Sequence, residues 1–404
     1  MPSRTLTLVD ATARGVGLDA LTEHRPKAAV PFAGKFRVID FTLTNCLHSG
    51  LRRILVLTQY KSHSLHKHLR DGWSVFNPEL GEFITPVPPQ MRSGQAWYAG
   101  GVDAVAQNRF LLERSRADII LLLAGDLIYR MDYAELIRAH RETGAEVTLA
   151  ARFATVAAGL TELELDDAGR VRGLAEVTAA RAEAEGTRAL PTTMGVCVID
   201  KALLLEALEQ GPTQADADGS RDPWADFIAP LTASRRVLAY RFGETRGRVT
   251  PDRYWCDLAG IDPYYAANMA LLETQPPLDL YQEDWTIRTH QGQYPPARTV
   301  PGRSGTEGIF VNSMLAAGTV ITGGGVSHSV LFPRVRVRDG AIVDAAILFD
   351  GVQVGEGAEL RNCIVEKDVA IPPHARIGYD LRADRERFTV SPKGVVVVPK
   401  GYVF

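Results

Sequence analysis

The chain has 404 residues, of which 46% are hydrophobic, 23% charged and 8% aromatic. That is ordinary globular usage and excludes a disordered chain, a collagen-like repeat and a disulfide scaffold. The length predicts two or three domains at about 150 residues each, and a formal net charge of −3 provides no overall basic field to recruit nucleic acid or an anionic membrane.

Taken in chain order, Met1–Thr5 leads straight into a strand-like run rather than the apolar core of a signal peptide. No segment approaches the ~20 apolar residues that span a bilayer, so a cytoplasmic protein is expected. Arg53–Thr58 and Asp118–Ala124 are short, almost wholly apolar runs, as expected of strands covered on both faces of a parallel sheet. Amphipathic helical spacing is read over Asp103–Arg116 and Tyr133–Thr143. The alternation predicts a doubly wound, mostly parallel α/β domain with its ligands beyond the carboxyl ends of the strands. Asp126 stands at such an end, and in isolation reads as a turn or N-cap residue.

Cys46, Cys197, Cys256 and Cys363 are scattered without a CxxC pair, which argues against structural zinc and a dense disulfide framework. The histidine-rich run Lys61–His68 reads as a solvated helical face. Asp216–Asp222 resembles a calcium loop but lacks the downstream glutamate of bidentate ligation, and reads as a surface loop.

Residues 273–308 carry Pro276-Pro277, Pro295-Pro296 and Pro301-Gly302 and read as a connector. Beyond it, apolar residues recur every six positions: Val320, Val326 and Phe332; Leu331, Val337 and Val343; Ile342, Leu348, Val354 and Leu360; then Ile371 and Ile377. This period predicts a parallel β-helix with three short strands per coil. So short a helix is expected to bury a terminal face against the α/β domain or another subunit.

The segments Arg25–Phe41, Leu57–Leu65, Ala124–Tyr129, Tyr254–Asp257, Asn312-Ser313, Ser329–Phe332 and Ile377–Phe388, in that order along almost the whole chain, closely resemble bacterial ADP-glucose pyrophosphorylases (glucose-1-phosphate adenylyltransferases). The resemblance implies a nucleotidyltransferase-like α/β domain over 1–272 and a left-handed parallel β-helix over 309–404. It implies transfer of adenylate from ATP to glucose 1-phosphate, releasing pyrophosphate, toward glycogen. By position it assigns Mg²⁺ to Asp126 and Asp257, the nucleotide to Ala11, Arg14, Gly15, Tyr98, Gly100 and Asp103, and the sugar phosphate to Glu176, Thr193 and Gly195. A regulatory anion (phosphate, sulfate, AMP or a sugar phosphate) falls to Arg25, Arg37, Arg114 and Arg387, in a tetramer.

The chain departs from this pattern where the family touches substrate. The glycine pair of the phosphate-binding turn is replaced by Thr12-Ala13, the turn's arginine by Gly17, and Asp10 adds negative charge just before it. Gly100-Gly101-Val102-Asp103 follows Ala99 where the family has arginine and then Gly-Thr-Ala-Asp. Leu160-Thr161-Glu162 replaces Phe-Gly-Val, and Val177 takes the place of the lysine that grips the sugar phosphate. His24 stands where many relatives have lysine. The leading expectation is a catalytically weak or inactive regulatory subunit, in a homotetramer or with a catalytic paralogue; the alternative is an active adenylyltransferase using Arg14. A third reading, a hexapeptide acyltransferase using His328 or His374, has less support, since both histidines read as structural or surface residues.

Overall fold

The computed structural model describes residues 4–90, 97–155, 157–210, 222, 224–243 and 253–404; positions 216–221 of the calcium-like run lie outside them. The apolar runs form β1 (Thr5–Ala11), β2 (Arg53–Thr58), β3 (Phe83–Val87) and β4 (Ile119–Ala124), with β4-β1-β2-β3 paired in parallel. Side chains alternate across a strand, so Val9, Val56, Leu121 and Leu123 pack on one face. Leu8, Leu55, Leu57 and Leu122 pack on the other. Helices Val38–His48, His63–Trp73 and Tyr133–Thr143 contribute to the first core. Each fully buried aliphatic contributes about 1.5–3 kcal/mol, which is why the runs carry so few polar residues.

The sheet continues in mixed sense. β5 (Leu127–Tyr129) leaves the end of β4 at a tight approach, where Gly125 N–H donates to Asp10 O at 2.7 Å. Beyond it come β6 (Val147–Thr155), β7 (Thr161–Leu165), β8 (Val171–Glu176), β9 (Ala189–Asp200) and β10 (Val237–Arg241). β9 pairs antiparallel with β4, β6 and β7. β11 (Trp255–Asp257) pairs antiparallel with β5.

Two local expectations are corrected. The single helix expected over Asp103–Arg116 is two, Gly101–Gln107 and Arg109–Arg114. They meet at buried Asn108, whose amide donates to the Tyr98 hydroxyl at 2.7 Å and to Ala104 O at 2.8 Å. The histidine run is not wholly solvated: His68 is buried with Nε2 2.6 Å from Asp40 Oδ1, and His66 meets the Thr58 hydroxyl at 2.8 Å. Asp40 also accepts from Trp73 Nε1 and Thr289 Oγ1, so these groups anchor helices to one another and to the connector.

The connector is a strap rather than a free linker. Leu278, Trp285 and Ile287 are buried, and Trp285 Nε1 donates to Asn45 Oδ1 at 3.1 Å. Parallel stacking already begins within it, where Arg298–Val300 pairs with Val320–Thr322.

The C-terminal part is a left-handed parallel β-helix whose first coil advances 16 residues, as from Ile321 to Val337, and whose later coils advance 17, as in the stack Val326, Val343, Leu360 and Ile377. Its corners repeat with the same step and adopt positive φ: His328, Ala345 and Asn362 on one edge, Arg334, Gly351 and Asp368 on the next, Gly340, Gly357 and His374 on the third. The two histidines are thus corner residues. Ile321, not Val320, joins the interior stack with Val337, Val354 and Ile371, and Ile342 faces outward, about half exposed. The helix packs on the α/β domain sideways, not by a terminal face. Along this side Leu331, Leu348, Val365 and Val398 point inward. Their neighbours Val330, Ile347, Ile364 and Val397 point outward onto Phe32, Phe41 and Tyr264.

Candidate active site and interdomain anion cluster

The carboxyl ends of β1 and β4 and the β5–β11 ladder meet around one group of charged side chains. Asp257 is registered against Leu127, which sets it beside Asp126. Between the two carboxylates lies Lys27, from a short 3-10 turn over Lys27–Ala29. Its Nζ is 3.0 Å from Asp126 Oδ2 and 2.7 Å from Asp257 Oδ1. Burial pulls the lysine pKa down, but the two carboxylates outweigh it and hold the value above lysine's ordinary range. Gly15 makes this possible. It has φ +92, and a Cβ there would lie 2.9 Å from Lys27 Cβ. Lys27 lies in the Arg25–Phe41 segment, and only its long-range pairing with Asp126 and Asp257 gives it a role.

The turn after β1 is closed on itself. Asp10 Oδ1 accepts from Thr12 N–H at 2.9 Å and from the Thr12 hydroxyl at 2.7 Å. Burial pushes the Asp10 carboxyl up to about 6, the two Thr12 hydrogen bonds oppose this, and Asp126 adds to it. Gly17 has φ +83 and faces the Ala259 carbonyl, 2.8 Å from where a Cβ would stand. Arg14 is exposed, 5.4 Å from the Tyr60 ring centroid, and Ala11 is buried at the strand end.

Tyr98 is buried, its backbone clamped by Gln59 through bonds of 2.5 and 3.0 Å. Asp103 Oδ2 accepts from Ala99 N–H and Gln107 Nε2, both at 2.8 Å, holding the helix that Gly100 caps. Thr193 and Gly195 lie at an irregularity of β9. Asp222, which sequence reading passed over as loop, accepts from Gly195 N–H at 3.2 Å and from Thr193, and burial raises its carboxyl. Glu176 is exposed at the end of β8. Val177 is buried with Leu190 and Leu160, turned into a small core of its own.

Asp126 and Asp257 are hard oxygen donors of the kind a divalent cation takes, with further positions left to substrate and water. Their side-by-side placement fits such an ion, with the Lys27 ammonium as the charge they now share. Among the described residues no group of three or more His, Cys, Asp or Glu side chains is arranged to hold a metal unaided.

Of the four arginines assigned to an anion, Arg25 and Arg37 come together at the junction of the α/β domain and the β-helix. Arg25 is bidentate on buried Glu366, through Nη1 to Oε1 and through Nη2 to Oε2 at 2.9 Å. It also donates to Leu21 O at 3.0 Å. Arg37 donates to Ser64 O at 2.8 Å, and burial lowers it to about 10. Lys367 completes the group. Burial, then Arg37 and Arg25, bring its pKa to about 8. Arg37, Lys367, His290 and Tyr294 line a cavity of about 630 Å³ between the two domains. Arg114 and Arg387 make other contacts, Arg114 over the Phe110 ring and Arg387 on Asp384 at 3.0 Å.

No helix among the described residues is long and apolar enough to cross a membrane. Residues 12–274 match the family described as nucleotidyl transferase, and residues 295–398 match GlmU-like, C-terminal hexapeptide. Glucose-1-phosphate adenylyltransferase 2 of Vibrio cholerae is 49% identical, over 99% of this chain and 98% of the relative. Its namesake from Vibrio parahaemolyticus is 48% identical over 99% of each. Glucose-1-phosphate adenylyltransferase of an Enterobacter species is 38% identical over 99% of this chain and 94% of the relative. The chain belongs to the glucose-1-phosphate adenylyltransferase family.

Proposed function

We propose that this chain is a glucose-1-phosphate adenylyltransferase-family subunit of weak or absent turnover. In this reading it regulates glycogen synthesis in the cytoplasm, within a tetramer of its own copies or with a catalytic paralogue. The closed turn after β1 carries the reading. A triphosphate is held by free backbone N–H groups and cations, whereas here the Thr12 N–H is already given to Asp10. A third carboxylate stands near Asp126, and position 17 offers no cation. Losing one preorganised donor costs about 10²–10³ in rate, and Val177 removes a cation from the sugar side as well.

The regulatory ligand in this reading is phosphate, sulfate, AMP or a sugar phosphate, held by Arg37 and Lys367 with Arg25 released in part from Glu366. Arg114 and Arg387 are left to a neighbouring subunit. Guanidinium forks match phosphate oxygens, and Lys367 loses its charge above a pH of about 8, so anion affinity falls there.

The second reading, an active enzyme, draws on the Lys27–Asp126–Asp257 constellation and on the names of the relatives. Mg²⁺ on Asp126 and Asp257 would neutralise charge on the transferring phosphates. Lys27 would orient one carboxylate and exclude water from the other. Assaying the purified chain in both directions with ATP, glucose 1-phosphate and Mg²⁺ separates the readings. Turnover in the usual range of about 1–10³ s⁻¹ establishes the second and removes the first.

A further inference from the structure

The interdomain cavity presents an amine and a guanidinium with no acid left to pair them. Lys367 and Arg37, one from each domain, both line it and are half-buried. Lys367 gives its backbone N–H to Glu366 Oε2 at 3.0 Å, but its Nζ makes no hydrogen bond or ion pair among the described residues. Arg37 gives one N–H to Ser64 O, and its guanidinium makes no other such bond among the described residues. The nearby acids are already taken. Glu366 holds Arg25 through both oxygens, and Asp350, on the cavity wall, pairs with Arg334 at 2.9 Å. No other titratable group of the wall adds a negative charge there: His68 sits on Asp40, His290 meets Asp71 O, and Lys35 lies over the Phe36 ring.

An amine desolvated beside other cations is held partly in its neutral form, which makes it a nucleophile. Lys367 meets that condition, since burial, then Arg37 and Arg25, bring its pKa to about 8. The cavity is open enough to admit a small electrophile, and its spare cations favour an adduct that is itself an anion. Carbon dioxide fits both demands. It enters neutral, and on an amine it becomes a planar carboxylate of the shape a guanidinium fork accepts.

We propose that Lys367 is a carbamylation site for carbon dioxide, its carboxylate held by Arg37 in the interdomain cavity. The neutral amine nitrogen bonds to the carbon of CO₂, one C=O π pair moves onto oxygen, and one proton leaves the nitrogen for solvent. An ammonium is thereby replaced by a carbamate, with no oxidant or reductant involved. The consequence for regulation rests on this cavity being the anion site: the carbamate removes one cation and occupies the other. Carbon dioxide and a phosphate-type effector then exclude each other.

The test compares the full chain as wild type and as Lys367→Arg, which keeps a cation there without a nucleophilic amine. In one arm, each protein is equilibrated with CO₂ and bicarbonate at a pH of about 8, alkylated with triethyloxonium to trap carbamate, and mapped by peptide mass spectrometry. In the other, inorganic phosphate is titrated calorimetrically at fixed pH and ionic strength, with and without CO₂ and bicarbonate. The expected result is a trapped carbamate on Lys367, absent from Lys367→Arg, and phosphate affinity lowered about tenfold or more by CO₂ in the wild type alone. Peptide mapping of the wild type decides the site even if Lys367→Arg fails to fold. No adduct on Lys367 overturns the proposal, and so does an equal loss of phosphate affinity in Lys367→Arg, because bicarbonate then acts as a simple competing ion. An adduct on a wild type that binds no phosphate upholds the carbamate and overturns the anion reading instead.

Discussion

Lys27→Met deletes the ammonium between Asp126 and Asp257 while keeping most of the side chain's volume. Two contacts, 3.0 and 2.7 Å, go at once. Removing one partner from a buried ion pair costs about 3–5 kcal/mol. The aspartate side chains are 15% and 31% exposed, so water relieves part of this, and we expect a loss of about 2–3 kcal/mol. At roughly 2–4 °C per kcal/mol for a domain of this size, the Tm should fall by about 4–12 °C.

The pH dependence has a definite sign. The lysine's folded pKa lies above its ordinary value, so its stabilisation is fully present below about 10.4 and is lost only as pH climbs through the folded value. The gap between wild type and variant should therefore be flat between about pH 6 and about pH 9. Mg²⁺ should raise the Tm of the variant more than that of the wild type, because the carboxylates no longer share an internal cation. Circular-dichroism melts with and without saturating magnesium salt measure both effects. A variant within about 0.5 kcal/mol of wild type, or an equal Mg²⁺ response in the two proteins, would refute the account.

Asp10, at about 6 against an ordinary 3.8, has its charged form disfavoured in the folded state. Its penalty is absent below about pH 4, grows as pH rises to about 6, and reaches about 1–3 kcal/mol above that. Asp10→Asn should therefore be more stable than wild type at pH 7 and indistinguishable from it below pH ~4 by denaturant unfolding. Gly17→Arg, which reinstates the family residue alone, should lose about 1–2 kcal/mol to positive φ and the Ala259 contact and gain no turnover; restored activity would contradict the packing at that turn. Arg25→Met and Glu366→Leu should each cost about 3–5 kcal/mol in urea unfolding. The double variant should cost less than the two combined, by a coupling of about 0.5–3 kcal/mol, since neither charge is then left buried alone.

Much of this architecture was legible in the residues because it depends on short-range periodicity. The apolar runs ending at Thr58 and Ala124 became buried strands, and the six-residue recurrence became β-helix coils, because one step in a strand changes the face a side chain meets. The same rule explains what failed. Val320 and Ile342 fit the spacing but sit one residue out of phase with the interior, since coils of 16 residues at Ile321–Val337 and of 17 at Val326–Val343 both fall short of three full six-residue steps. Asn108 interrupts a helix that its neighbours would continue, because its amide has a better partner in a tyrosine ten residues away.

The sequence alone determined the family, the order of the two folded parts, the aspartates at the strand ends and the altered turn, all of which are written in contiguous residues. Tertiary structure alone decided that Lys27 lies between Asp126 and Asp257 and that Glu366 engages Arg25. It also turned Val177 into a core and set Arg152 on Trp255. These pairings join residues up to 341 positions apart, and a charge acts over ångströms of space, a distance that spacing along the chain does not encode.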